Sequence, residues 1–225
     1  MRKLYIDLKI IKYVFIISLI SIFSFFINAD VNIDRLSIPK GFEISIFSDE
    51  LESPRQITET KDGYIIVGSK NGDKVIALFD SDGDGYAEKK IIVASGLQNP
   101  TGVTYHNGDL YFAEIKEVWV IKDIDSYLMS NKDSSPTIEL YMDGLPSETW
   151  HGFRHLRFGP DNNLYIPIGV PCNICLEPQT KDKRFAAIHK YENGSLVTVA
   201  DGVRNSVGID WHPTVSYTHL RAHET

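Results

Sequence analysis

Short stretches in which apolar and polar residues alternate fill the chain from Ile38 onward, and Gly, Asn and Asp residues separate them. Alternation with a period of two predicts β-strands that bury one face, and clusters of these residue types predict turns. Residues 123–131 are instead expected to form one helical turn within a loop. The predicted fold class is therefore all-β. The predicted strands are Phe42–Phe47, Tyr64–Gly68, Lys74–Phe79, Leu110–Glu114, Glu117–Ile121, Leu164–Pro167 and Ala187–Tyr191.

A turn followed by an aromatic-led strand occurs three times, as DGYIIVGS from Asp62, NGDLYFAEI from Asn107 and DNNLYIPIG from Asp161. A comparable strand precedes each of them, in SPRQITE, NPTGVTYH and FRHLRFGP, and a fourth unit opens at RNSVGIDWHP. A period of roughly 40 to 55 residues with four strands is typical of β-propeller blades. We therefore predict about three and a half blades within residues 30–213. A β-sandwich remains the alternative, because its strands also recur at short, regular intervals.

The first 29 residues differ from the rest of the chain. Four basic residues, the last of them Lys12, precede an apolar run from Tyr13 to Ile27 that ends at Ala29. This order is typical of a secretory signal peptide, and the run is shorter than the roughly 20 residues that span a bilayer. We expect cleavage after Ala29 and a periplasmic or secreted protein, with an uncleaved membrane anchor as the alternative.

The last twelve residues, 214–225, read TVSYTHLRAHET after Pro213. They show no strand alternation and no turn that would begin another strand. We expect this tail to be foreign to the propeller and to contain no strand.

The composition limits the range of partners. The chain carries a formal net charge of −7, and removal of residues 1–29 would make it more acidic. No basic stripe is present, so a nucleic-acid partner is not expected. Neutral molecules such as sugars, or cations, are the expected ligands.

Two cysteines, Cys172 and Cys175, occur as a single C-x-x-C in PCNIC. In an exported chain this spacing favours a local disulfide. A thioredoxin-like redox role would need a βαβ setting, and a zinc site would need two further ligands. The structural disulfide is the preferred interpretation.

The stretch from Trp150 to Gly169 contains the strongest candidate for chemistry. His151 is expected at the end of a loop just before a strand, where a propeller places residues around its central channel. A histidine there can act as a general base toward a hydroxyl group, although a structural role is the alternative. His155, nearer the strand, is expected to be structural. In the fourth unit, Arg204 and Asn205 are candidates for binding a carboxylate and orienting a carbonyl. A loop arginine that pairs with an acidic neighbour is the alternative for Arg204.

Two further features are weaker. In DSDGDGYAE, the carboxylates of Asp80, Asp82 and Asp84 alternate, with Glu88 beyond them, and such a group can bind calcium. The loop departs from an EF-hand because no helices flank it, so a plain acidic hairpin is the alternative. In LQNPTG, Gln98 is a candidate polar group at the rim of the channel.

Six motifs occur in an order that resembles the soluble quinoprotein glucose and sorbosone dehydrogenases, especially the sorbosone or pyranose dehydrogenase-like branch. They are IPKGFEISIF, the DGDG turn, GLQNPTGV, H-x7-GPD-x2-LY, GVPCNIC and GVRNSVGIDWHP. The resemblance implies a six-bladed propeller that uses pyrroloquinoline quinone (PQQ) and calcium. It also implies that His151 is the general base that takes a proton from the sugar hydroxyl while hydride passes to the quinone.

The same resemblance matches Arg204 and Asn205 with a cofactor-contacting pair, and Gln98, less firmly, with an early polar contact. It implies an aldose or sorbosone-like sugar as substrate and a separate electron acceptor. The family's catalytic calcium ligands would lie beyond residue 225, so the chain as printed is expected to be inactive. Two other classes remain open: a non-catalytic propeller that binds a protein or glycan, and a calcium-dependent propeller lactonase or other hydrolase.

Overall fold

The computed structural model describes residues 33–130, 134–174, 182–212 and 218–222. It divides into two compact units, Met1–Ser45 and Ile46–Thr225. In the first unit, the described part contains a short 3-10 helix, Ile33–Arg35, and a turn in which the Phe42 N–H donates to the Pro39 carbonyl. The predicted signal peptide lies outside the described residues. Within the described part of the chain, no helix is long and apolar enough to cross a membrane.

The second unit contains every strand that the structure describes and one short helix, α1 (Ile124–Met129). The helix lies within the segment predicted to form a helical turn. The strands are β1 (Pro54–Glu59), β2 (Ile65–Ser69), β3 (Val75–Phe79), β4 (Lys89–Ala94), β5 (Gly102–His106), β6 (Asp109–Ala113), β7 (Val118–Ile121), β8 (Glu139–Met142), β9 (Arg157–Phe158), β10 (Leu164–Ile168), β11 (Ala187–Glu192), β12 (Ser195–Asp201), β13 (Ser206–Trp211) and β14 (Thr218–Ala222).

The strands form sheets in the order in which they follow along the chain. Strands β1 to β4, β5 to β8 and β9 to β12 make three four-stranded sheets, and β13 pairs with β14. Every pair is antiparallel, as short connections between consecutive strands require. The repeated turn and aromatic-led strand is the second strand of each complete sheet. The predicted all-β class and the repeat are thus both confirmed.

Two hydrophobic cores lie between successive sheets. One joins Ile66 of β2 and Val75 of β3 to Phe112 of β6, and the other joins Val118 of β7 to Ile166 of β10. Each sheet therefore packs its face on the next sheet along the chain. Face-to-face packing of consecutive four-stranded meanders is the arrangement of β-propeller blades, so the sandwich alternative is wrong.

The first strands of neighbouring sheets are tied together by one half-buried amide. The Gln56 side chain on β1 accepts from the Val103 and Leu156 N–H groups at 3.2 Å each and donates to the Leu156 carbonyl at 2.8 Å. Gln56 thereby links β1, β5 and the segment that leads into β9. This bond network fixes the beginnings of the first strands relative to one another.

Two predictions about strands were wrong. Residues 42–47 form no strand, and Phe47 instead packs its ring against Val67 and Leu78 on the first sheet. Its carbonyl accepts one hydrogen bond, from the Ala87 N–H, which is too few for a ladder. The tail does contain a strand, β14, because pairing with β13 uses main-chain groups that any sequence provides. Whether the tail is foreign stays a prediction.

Candidate functional site

A cavity of about 410 Å³ lies where the first strands of four successive sheets begin. Its walls come from β1, from the loops that precede β5 and β9, and from the start of β13. Cavities of this size are large enough for a small-molecule ligand or cofactor. The lining residues are Arg55, Gln56, Ile57, Lys70, Thr101, His151, Phe153, Arg154, His155, Asn205 and Val207.

His151 enters this cavity from a tight turn. The Gly152 N–H donates to the Thr149 carbonyl at 3.1 Å, and the turn holds His151 at φ +49°. A side chain rarely adopts this left-handed conformation, and such positions cluster at functional sites. A Cβ on Gly152 would meet the Glu148 carbonyl oxygen at 2.2 Å, so only glycine can follow His151 here.

The His151 ring is oriented by one backbone group. Its Nδ1 lies 2.9 Å from the Val170 carbonyl oxygen. Because a carbonyl only accepts hydrogen bonds, Nδ1 carries the proton of the neutral ring. Nε2 then keeps its lone pair and can accept a proton from a ligand. This is the tautomer that a general base toward a hydroxyl requires.

Three chain segments meet at Gly169. A Cβ there would lie 2.7 Å from Asn205 Oδ1 and 2.7 Å from His151 Cβ. The neighbouring Val170 N–H donates to the Arg204 carbonyl at 3.0 Å. The end of β10 therefore sets the separation of His151 and Asn205, which both line the cavity; their catalytic and cofactor-binding roles stay predictions.

The Arg204 side chain points to a different partner. Its Nη2 donates to the Asn173 carbonyl at 2.9 Å and to Asn173 Oδ1 at 2.8 Å. It is not among the residues that line the cavity, and its cofactor contact stays a prediction. Asn173 belongs to PCNIC, in which Cys172 is disulfide-bonded. The predicted partner, Cys175, lies outside the described residues.

Gln98 lies away from the cavity. Its side chain is exposed, and its backbone N–H donates to the Glu114 carboxylate. Glu114 also accepts from the Trp119 indole at 2.9 Å. The structure thus does not bring Gln98 together with His151, and its role in binding a cofactor stays a prediction.

The acidic loop brings four carboxylates together. Ligand oxygens of Asp80, Asp82, Asp84 and Glu88 lie within 4.8 Å of one another. Asp80 accepts from the N–H groups of Gly85 at 2.9 Å and Gly83 at 2.6 Å, and the Gly85 bond is the main cause that lowers its pKa.

Asp82 behaves in the opposite way. Its bond from the Asp84 N–H lowers its pKa, but the repulsion of Asp84 and the other nearby carboxylates, with desolvation, raises it on balance. A hard cation between these oxygens would relieve the repulsion, and an all-oxygen donor set suits calcium.

Sequence reasoning missed the charge of the cavity. Arg55, Lys70 and Arg154 contribute three cationic side chains, and no lining residue is a carboxylate. The net charge of the chain therefore did not indicate the local charge of this cavity, and the expectation of neutral or cationic ligands stays a prediction. Arg154 lies within FRHLRFGP, but the sequence gives no sign of which of its two arginines faces inward.

His155 also lines the cavity, and burial lowers its pKa from 6.5 to about 4. As pH falls, the His155 ring therefore takes up a proton near pH 6.5 in the unfolded chain, but only near pH 4 in the folded chain. Stability should fall as pH falls through this window, because the unfolded state takes up more protons. At pH 4.5 the expected loss is on the order of 2 kcal/mol.

Urea unfolding at pH 7 and at pH 4.5 checks this expectation, with wild type and His155→Leu compared at each pH. The other histidines with lowered pKa, such as His189, titrate in both proteins and cancel from the difference. The variant should lose less stability than wild type between the two pH values. Equal losses would show that His155 is not buried in its neutral form.

Solved structures of other proteins share this fold. The calcium structure of a Trichoderma reesei carbohydrate-active enzyme of family AA12 superposes with a TM-score of 0.61 at 17% identity, over 75% of this chain and 45% of that chain. The holo form of the pyranose dehydrogenase PQQ domain from Coprinopsis cinerea gives 0.60 at 17% identity, over 72% and 41%. At such identities the likeness shows the β-propeller fold alone. The chain spans less than half the length of either.

An uncharacterized protein from Borreliella burgdorferi is 30% identical over 213 residues, which cover 91% of this chain and 52% of that protein. This chain thus spans about half the length of its curated relative. A family model described as a domain of unknown function, DUF7133, matches residues 63–212. That match runs from β2 to β13 and includes His151, Arg154 and Asn205 of the cavity, but it begins after β1. The chain therefore belongs to the DUF7133 family.

Proposed function

We propose that the protein is an oxidoreductase that oxidises an aldose or sorbosone-like sugar with PQQ as its electron acceptor. The observation that carries the proposal is the orientation of His151. Its Nδ1 is committed to the Val170 carbonyl, and the ring lines a cavity beside Asn205. The likeness of the fold to a pyranose dehydrogenase PQQ domain supports the same class.

The residues present fit this chemistry. His151 Nε2 would accept the proton of the substrate hydroxyl, and the proton on Nδ1 would stay bound to the Val170 carbonyl. As the ring becomes cationic, that carbonyl stabilises the charge by accepting a stronger hydrogen bond. The Asn205 amide, packed against Gly169, would orient a carbonyl oxygen of the ligand. PQQ, when bound, would accept the hydride from the substrate carbon that carries this hydroxyl.

We also propose a structural calcium ion in the loop of Asp80, Asp82, Asp84 and Glu88. Calcium at 100 times its dissociation constant would stabilise the folded state by about 2.7 kcal/mol. A melting experiment with calcium and with a chelator should therefore show a higher Tm with calcium. Asp82→Asn should abolish most of this increase, because it removes one ligand charge.

The matched control for the calcium experiment is Asp73→Asn, which removes an exposed carboxylate that pairs only with Lys74 in the described part of the chain. This variant should keep the full response to calcium. If wild type melts at the same temperature with calcium and with chelator, the loop is a plain acidic hairpin.

Export is part of the same proposal. The disulfide at Cys172 supports an oxidising compartment, either the periplasm or the exterior of the cell. A sugar would then reach the cavity from outside the cytoplasm, and a separate electron acceptor would reoxidise the quinone. Fractionation of cells should find the protein outside the cytoplasm without residues 1–29.

The test of the function uses the full-length gene product, because this chain spans only about half the length of its relative from Borreliella burgdorferi. The protein would be incubated with PQQ and calcium and assayed on a panel of aldoses with a reducible dye. Dye reduction that requires PQQ supports the proposal. Folded protein with neither quinone binding nor turnover would indicate a binding propeller. Turnover of lactones or esters without quinone would indicate a hydrolase.

A further inference from the structure

Arg154 is a buried cation with little compensation. Its side chain is only 2% exposed. Nε donates to the Ile115 carbonyl at 2.9 Å and Nη2 to the Pro146 carbonyl at 2.6 Å. Nη1 makes no hydrogen bond in the described part of the chain, and no carboxylate there forms an ion pair with Arg154.

Burial of the Arg154 charge shifts the protonation equilibrium of its guanidinium group. Burial lowers the pKa of Arg154 from 12.5 to about 10, against a smaller opposite effect of the exposed Glu148 carboxylate. The guanidinium remains charged at neutral pH. A buried charge is costly unless an opposite charge and hydrogen bonds satisfy it, and two carbonyl oxygens supply only part of that compensation.

The surroundings of Arg154 add positive charge. Lys70 lies half-buried on the cavity wall, with its Nζ 5.2 Å from the centre of the Phe153 ring, and Arg55 is exposed at the same cavity. No lining residue carries a negative charge, although the chain as a whole is acidic at −7. Within the described part of the chain, the cavity is therefore a local region of positive charge that a bound anion would neutralise.

We propose that this cavity binds a carboxylate group, held by Arg154 from within and by Lys70 from the wall. The inference rests on the proposed function for its setting, because it concerns the cavity that contains His151. Two sources supply the same chemistry: the carboxylates of the quinone cofactor and the carboxylate of an acidic sugar. The free Nη1 of Arg154 and the Lys70 ammonium provide the donors for either one.

Binding measurements on the full-length gene product test the proposal with three probes, PQQ, glucuronate and glucose. Calorimetry would give the dissociation constant of each probe for wild type, Arg154→Gln and Lys70→Gln. At least one anionic probe should bind to wild type, and removal of either cation should weaken its binding about 30-fold or more. Binding of glucose, which carries no carboxylate, should be unaffected by Lys70→Gln.

Arg154 also donates hydrogen bonds to the Ile115 and Pro146 carbonyls. Its replacement should therefore lower the stability of the folded state and also remove a positive charge from the cavity. Lys70→Gln leaves those bonds in place and carries the test if Arg154→Gln does not fold. Lys74→Gln is the matched control, since Lys74 is half-buried like Lys70, pairs with Asp73 and does not line the cavity. It should bind every probe as wild type does.

The outcomes separate this inference from the proposed function. If PQQ fails to bind but glucuronate binds in a way that depends on Lys70, the carboxylate site stands and the proposed cofactor is wrong. If PQQ binds equally to wild type, Arg154→Gln and Lys70→Gln, the cofactor stands and the carboxylate site is wrong. If neither anion binds to folded wild type, the carboxylate site is also wrong.

Discussion

Replacing His151 with alanine in the full-length gene product should lower the turnover of the PQQ-dependent sugar oxidation that we propose by at least about 100-fold, because a positioned general base contributes that much or more. The Val170 carbonyl fixes the tautomer and leaves the Nε2 lone pair of His151 for the substrate hydroxyl. His155 lines the same cavity, but burial lowers its pKa to about 4, which makes it a weaker base.

Steady-state turnover and dissociation constants for PQQ would be measured for wild type and His151→Ala. The loss should appear in kcat and leave PQQ binding within a few-fold of wild type, since proton transfer rather than binding is removed. His106→Gln is the matched control, because His106 stacks on Phe158 at 4.0 Å and does not line the cavity. Unchanged kcat in His151→Ala would overturn the assignment of the base.

The fold was largely predictable because its determinants are local. A period-two pattern, turn residues and repetition of one unit suffice to indicate antiparallel meanders, and the second strand of each sheet was found in all three repeats. Strands β4, β8 and β12 were not predicted. They are outer strands with many exposed residues, such as Ile92 on β4 and Val197 on β12, so their hydrophobic alternation is weak.

Residues of the site could be predicted only where the residue type and its position in a repeated unit both indicated a function. His151 and Asn205 stand at the starts of repeated units, and the structure brings them to one cavity. Arg154 and Lys70 could not be found this way, because their place in the cavity depends on contacts between sheets that are distant in sequence. Arg204 is the opposite case: the sequence made it a candidate, but its side chain binds Asn173 and does not line the cavity.

The contacts that join the sheets also position the side chains of the cavity. Gln56 ties the first strands together, and side chains on those strands or in the loops that precede them line most of the cavity. Each sheet thus contributes to the site, and the positions of the cavity side chains depend on the packing between sheets. Gly169 is the position where this packing is tightest around His151 and Asn205.

Substitution of Gly169 by alanine should reduce turnover about 100-fold while most of the fold is retained. The new methyl group would lie 2.7 Å from both Asn205 Oδ1 and His151 Cβ, so at least one of these groups must move. Displacement of a catalytic group by about 1 Å can cost on the order of 100-fold in rate. The crowding should also cost about 1–3 kcal/mol of stability, as overpacking of a dense interior does.

Gly72→Ala is the matched control for this experiment, because Gly72 is also buried, its Cβ would meet the Ser69 Cβ at 3.0 Å, and neither residue lines the cavity. Melting curves and kcat would be measured for both variants. A rate loss in Gly169→Ala alone, at similar Tm, would show that the end of β10 sets the distance between His151 and Asn205. A Gly169→Ala variant with normal kcat would show that His151 and Asn205 tolerate displacement, and that their close packing at Gly169 serves the stability of the propeller rather than its chemistry.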